Sequence, residues 1–175
     1  MKNKKIGDIV LFSDDTRFMS RAISKVTGSR YTHVGIVSKI YKDSVEISEA
    51  LNQGFVTNLY YDEYLTEQMN ERRILILRTR RKLTDVNKYI DEFKGTSYGF
   101  LQLLGILIRR YTGLSLFENG ERQVICSEVV ARVLYKATNG RLDISKIFKK
   151  DFEFITPGDI YLTPNLVVVN ENYRN

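Results

Sequence analysis

The chain contains no tryptophan, one cysteine, one histidine and two prolines among 175 residues. A single cysteine excludes an intramolecular disulfide framework. With a single histidine beside it, a zinc site built of several Cys and His ligands is excluded as well, so neither a metal nor another cofactor is expected. Long apolar runs are also lacking: no stretch reaches the roughly 18 uninterrupted apolar residues of a membrane span. The nearest, Phe100 to Ile108, ends in Arg109-Arg110 and has the length of a buried core helix, with a peripheral membrane contact as the other reading. The basic start around Lys2, Lys4 and Lys5 is followed by only a short apolar run, which Gly7 and Asp8 interrupt. No small-residue cleavage site follows, so the N-terminus does not read as a signal peptide and the cytoplasm is the default expectation.

What is present suits one folded domain spanning residues 1–175. Hydrophobic residues at 43% can fill a core, and charged residues at 27% fit a globular surface rather than a disordered chain. The net charge of +6 suits an anionic partner such as a cell-wall polymer, an acidic membrane surface or nucleic acid. A solvated basic surface is the plainer reading of the same number. Arg78, Arg80, Arg81 and Lys82, with Arg109-Arg110, would form the nucleic-acid surface, but no recognised nucleic-acid module accompanies them and that partner ranks last.

Taken in order, Gly7-Asp8 reads as a turn into a short buried strand, Ile9 to Phe12. Phe18, Met19, Ala22, Ile23 and Val26 share one helical face within residues 14–27, with Asp14 or Asp15 as cap and Gly28 at the end. Tyr31 to Ile40 reads as a strand, central because both faces are apolar between Val34 and Val37. Val45 to Leu51 follows as its antiparallel partner, and Ile74 to Leu77 as another strand. Thr84 is placed to cap a helix through Phe93 that Gly95 stops, and a further helix runs from Tyr98 to Arg110. A helix beginning at Cys126 ends at Asn139-Gly140, and Thr156-Pro-Gly-Asp159 opens a last strand, Ile160 to Leu162. This order lacks regular βαβ alternation and gives an α+β class.

The chemistry concentrates on the two single-copy residues. Cys126 begins an apolar helix, where free backbone N–H groups and the helix dipole favour a thiolate and could also hold an oxyanion. His33 lies far upstream on a strand and could serve as its base. Gly35 removes a side chain two residues away on the same face and leaves room beside the imidazole. Glu49 falls on the strand face that Val45 and Ile47 mark as apolar, so it needs either a place at the sheet edge or a partner; it is the best candidate to orient His33. The plainer reading is a buried structural cysteine and an unrelated strand histidine.

The order Gly-Asp-Ile-Val-Leu, Tyr-Thr-His-Val-Gly-Ile-Val, Ile-Ser-Glu-Ala with Gly-Phe-Val, Ile-Cys-Ser-Glu-Val-Val and Thr-Pro-Gly-Asp-Ile covers Gly7 to Tyr161. It resembles the permuted papain-like amidases of the YiiX and YaeF type, relatives of NlpC-like cell-wall hydrolases in which histidine precedes cysteine. The resemblance implies a circularly permuted papain-like fold, with an antiparallel, barrel-like sheet packed against helices. It implies Cys126 as nucleophile, His33 as base and Glu49 as the orienting group, with Tyr31 and Ser127 flanking them and lining a substrate pocket. The activity implied is hydrolysis of an amide bond, as in a cell-wall peptide, through a thioester. Lipid or amine acyl transfer from an amide or ester donor, and a non-catalytic binding or structural domain, are the alternatives.

Overall fold

The structure is a computed structural model and describes residues 3–13, 21, 24–25, 27–98 and 123–169. Most of the expected helix over 14–27, all of the expected helix beyond Tyr98 and the Arg109-Arg110 pair lie outside the described residues. In chain order the elements are β1 (Ile9–Phe12), β2 (His33–Ile40), β3 (Ser44–Leu51), β4 (Gly54–Tyr61), α1 (Asp62–Asn70), β5 (Ile74–Thr79), α2 (Val86–Asp91), β6 (Ser97–Tyr98), β7 (Gln123–Val124), α3 (Cys126–Ala137), α4 (Ile144–Phe148), a 3-10 turn (Phe152–Phe154), α5 (Pro157–Tyr161) and β8 (Leu166–Val168).

Six strands form one sheet in the order β4-β3-β2-β1-β5-β8, and β6 pairs with β7 in a separate two-stranded ladder. Every pairing in the large sheet is antiparallel. The class is α+β, as expected. The sheet is open rather than barrel-like: β8 is only three residues long, pairs β5 alone, and leaves β4 as the other edge.

Alternation along the central strands sorts the core into two layers. Ile9, Leu11, Val34, Ile36 and Leu77 face α2 and α3, where Val86, Ile90, Val129, Val130, Val133 and Leu134 meet them. Val10, Val37, Val45, Ile47, Ile74 and Ile76 face the other way, under Leu65 of α1. Strands apolar on both sides belong inside a sheet, which is why β1, β2 and β5 lie there.

Helix α3 is almost enclosed, with nine of its twelve residues buried. Each Val or Leu buried there contributes about 1.5–3 kcal/mol. Its polar members are partnered: buried Glu128 bonds Arg132 one turn on at 2.8 Å, and Thr138 caps the end through Leu134 O at 2.7 Å. The chain leaves the helix through Asn139 and Gly140 at φ 53° and 74°, as the Asn-Gly pair predicts.

Two expectations are overturned. Ile160 and Tyr161 are helical, not a strand: Thr156 accepts from the Asp159 amide at 3.1 Å, while Asp159 Oδ2 accepts from the Thr156 amide at 2.8 Å. That reciprocal capping box, with Pro157 at the first helical position, starts α5. Thr84 does not cap α2 either; its amide and hydroxyl both donate to Ala137 O, at the end of α3, at 2.9 and 3.3 Å. Helix α1 gives little sequence signal, because it has no side-chain cap and buries only Leu65.

Arg78, the first member of the basic cluster, is turned inward. Its guanidinium holds buried Asp8 in a bidentate pair, Nε donating to Oδ1 at 2.7 Å and Nη2 to Oδ2 at 2.8 Å. The Asp8 side chain is 1% exposed, so removing the cation strands a charge in the interior. Arg78→Ala is expected to lower stability by about 3 kcal/mol, read as a fall in the urea midpoint at unchanged slope. A loss below about 1 kcal/mol contradicts this account of the pair.

Candidate active site

Strand register brings the first two polar groups together. The β2–β3 ladder pairs Ile36 with Ser48 and Val37 with Ile47. Continued one step, it sets Glu49 beside Gly35. A Cβ on Gly35 would meet Ile47 Cγ2 at 2.5 Å and Glu49 Cβ at 3.3 Å. The bare glycine therefore lets Glu49 lean across β2 toward His33, two residues away on the same face. Glu49 Oε2 lies 2.6 Å from His33 Nε2, with 1% and 22% of the respective side chains exposed. On β1, Phe12 stands opposite His33 in the ladder, and the two rings lie 5.4 Å apart.

The third group arrives from α3. Cys126 is the first residue of that helix, and Ile125 provides no side-chain cap. The start of α3 packs where β2 begins. There the His33 ring and the backbone N–H groups of Val34 and Ser127 are the groups that act on the sulfur. With Nε2 committed to Glu49, the other ring nitrogen, Nδ1, is the one left for sulfur.

Electrostatics favours the charged forms of all three. Burial alone would push the His33 pKa down, but the charge and hydrogen bond of Cys126, then those of Glu49, raise it to about 10. Burial pushes the Cys126 thiol up, yet the imidazolium and the two backbone N–H groups bring it below its ordinary value. Burial also acts against the Glu49 carboxylate, and hydrogen bonds from His33, Asn58 and Tyr60 hold it lower than usual. These shifts favour a thiolate–imidazolium pair backed by a carboxylate, an arrangement that can attack an electrophilic carbon and supply a proton from the same ring.

Asn58 and Tyr60 were not singled out from the sequence. Asn58 Nδ2 donates to Glu49 Oε1 at 3.0 Å, and the Tyr60 hydroxyl donates to the same oxygen at 2.7 Å. A usable signal existed. The tight turn at Asn52-Gln53 sets the β3–β4 register, with Ile47 opposite Asn58 and Val45 opposite Tyr60, so both side chains share the face of Glu49.

Of the two flanking residues, Tyr31 is 7% exposed and packs its ring 5.0 Å from that of Tyr161. Ser127 is buried, and its hydroxyl donates to Ile155 O, tying the first turn of α3 to the segment before α5. A cleft of about 1000 Å³ opens between Ser29–Tyr31 on one side and Lys149, Phe154, Thr156 and Tyr161 on the other. Neither Cys126 nor His33 lines it; Tyr31, two residues before His33, is its nearest wall in sequence to the pair.

No family model and no curated protein matches the chain. Among solved structures, it is similar to a protein described as the metalloprotein yiiX from Escherichia coli O157:H7, with a TM-score of 0.52 and 17% identity over 94% of this chain and 96% of that one. The likeness is one of fold: the open antiparallel sheet packed against helices is shared. The residues here do not suit a metal ion. Among the described residues no group of three or more His, Cys, Asp or Glu side chains gathers as ligands would.

The lowered thiol has a direct measure. Iodoacetamide should alkylate Cys126 in the folded protein well below pH 8. His33→Ala, which removes the cation, should shift the reactive limb up toward the ordinary thiol value of about 8.5. A wild-type limb already at that value rules out the thiolate–imidazolium pair.

Proposed function

We propose that the protein is a cysteine hydrolase that cleaves an amide bond through a thioester. The observation that carries this reading is the sulfur at the uncapped start of α3, beside an imidazole whose far side is held by a buried carboxylate. Buried ionised groups are costly unless each is paired, and a structural domain has no need to set its only cysteine, its only histidine and a buried glutamate in one chain of interactions.

The steps follow from the charges. Cys126 thiolate attacks the carbonyl carbon, and the C=O electron pair moves onto oxygen. The Cys126 backbone N–H, in the first turn of α3 and without an intrahelical acceptor, helps to stabilise that oxyanion. The tetrahedral centre collapses, the C–N bond breaks, and His33 imidazolium gives its proton to the leaving amine. Neutral His33 then takes a proton from water, hydroxide attacks the thioester, and the acid leaves with the thiolate–imidazolium pair restored. Glu49 holds the ring in one orientation through both transfers.

The motif resemblance to permuted papain-like amidases points the same way, to a permuted papain-like fold and a cell-wall peptide as substrate; the likeness to yiiX bears only on the open sheet packed against helices. Acyl transfer to an amine or lipid is the second reading. The observation favouring it is the exposed apolar pair Tyr161 and Leu162, 45% and 66% exposed beside the cleft, which suits a donor with an apolar part.

Incubation with a panel of aryl esters, anilides and short peptides, followed by intact-mass analysis, should reveal an acyl adduct on Cys126. Cys126→Ala should reduce turnover to background. His33→Ala should reduce it by about 10²–10⁴-fold, the usual contribution of a positioned acid–base group. Folded protein that forms no adduct with any donor, while free thiol reacts with the activated esters, overturns the hydrolase reading.

A further inference from the structure

We propose that Asn58 and Tyr60 are positioning residues of this site: they occupy one oxygen of Glu49 with uncharged donors, so that its other oxygen and its full negative charge are directed at His33. The proposal rests on the reading of Cys126 and His33 as a working pair.

The two carboxylate oxygens of Glu49 are used differently. Oε2 faces the imidazole at 2.6 Å. Oε1 accepts two hydrogen bonds, from Asn58 at 3.0 Å and Tyr60 at 2.7 Å. In the β3–β4 ladder the residue directly opposite Glu49 is Val56. Asn58 and Tyr60 follow on the same face, two and four residues further along β4. They reach back diagonally, which a medium and a long side chain can do. The spacing thus matches a short donor to the nearer position and a long one to the farther.

The choice of donor matters more than their number. A buried carboxylate left with a bare oxygen would cost free energy. In a chain with 27 Lys and Arg residues, a cation could have satisfied it instead. An Arg or Lys there would compete with the imidazolium for the carboxylate and weaken the field that keeps His33 protonated. Neutral donors satisfy the lone pairs and leave the charge for His33. Tyr60 stays a donor throughout the working range, because burial and then the Glu49 charge push its pKa well above the usual 10.

The Tyr60 ring is itself held. It lies 6.0 Å from Tyr64 and 6.1 Å from Phe12, and Phe12 in turn lies 5.4 Å from His33. One residue therefore braces the carboxylate through its hydroxyl and the imidazole through a neighbouring ring. Among the described residues, the titratable groups around Glu49 are His33 on β2, Cys126 on α3 beyond the ring, Tyr60 on β4 and Tyr64 on α1. None of them supplies a second cation to that carboxylate.

The only histidine makes the test selective, since its ring signals in a long-range proton–nitrogen spectrum have a single source. In the wild type, protonation of Glu49 should appear as an acid inflection in the His33 ring shifts, below the ordinary carboxylate range. Tyr60→Phe keeps the ring and removes only the hydroxyl; Asn58→Ala removes the other donor. Each should raise the inflection by about one pH unit, and the double variant by more, because donors to the charged form lower a carboxylate pKa. A purely packing role would change stability and leave the inflection in place. If Asn58→Ala does not fold, Tyr60→Phe alone decides the matter. An inflection unmoved in folded Tyr60→Phe overturns the proposal. That result is distinct from failure of the hydrolase reading, which appears as an ordinary Cys126 alkylation limb in the wild type.

Discussion

A carboxylate remains charged inside a protein only when its oxygens are supplied with donors. Glu49 meets that condition because three elements converge on it. β2 brings the imidazole, β4 brings an amide and a phenol, and β3 places the carboxylate between them. The Cys126 charge and, after it, ionised Glu49 raise the proton affinity of His33, and protonated His33 lowers that of Cys126. The charge state of the sulfur is thus tied through one ring to a side chain on the neighbouring strand. Loss of any link leaves a buried charge without its partner.

The rest of the molecule holds those parts in place. Helix α3 is packed on nearly all sides, so its first residue is delivered to a fixed point beside the start of β2. The Ser127 hydroxyl on Ile155 O pins the same turn from the far side. The sheet contributes rigidity and register: a one-residue slip of β3 against β2 would turn Glu49 to the opposite face. Gly35 is the concession that makes the crossing fit, because its missing Cβ is the space that Ile47 and Glu49 fill.

Much of this was legible beforehand where local rules act. The apolar residues on both faces of Val34–Val37 placed β2 inside the sheet, and Asn139-Gly140 marked the end of α3. Glu49 stood out as a charge on an apolar face. Misreadings arose where two local signals competed. Thr156-Pro-Gly-Asp159 looks like a turn into a strand beside Gly7-Asp8-Ile9, yet an acid three residues after Thr closes a capping box and starts a helix instead. Thr84 offers a helix cap, but the carbonyl of Ala137 claims its hydroxyl and amide. The basic run at Arg78 reads as surface, though its first member is consumed by buried Asp8.

The amino-acid order by itself determined the strand and helix periods, the class, the central strands, and the fact that Glu49 needed a partner. It also determined that only one thiol and one imidazole exist to meet. Tertiary structure alone decided that they do meet, that the sheet stays open, and that Asn58 and Tyr60 belong to the same site. The physical reason is distance along the chain. Helix and strand preferences act over a few residues, whereas the contact of His33 with Cys126 joins a strand near one end of the chain to a helix toward the other. Only the shared burial of the sheet and α3 brings them within reach.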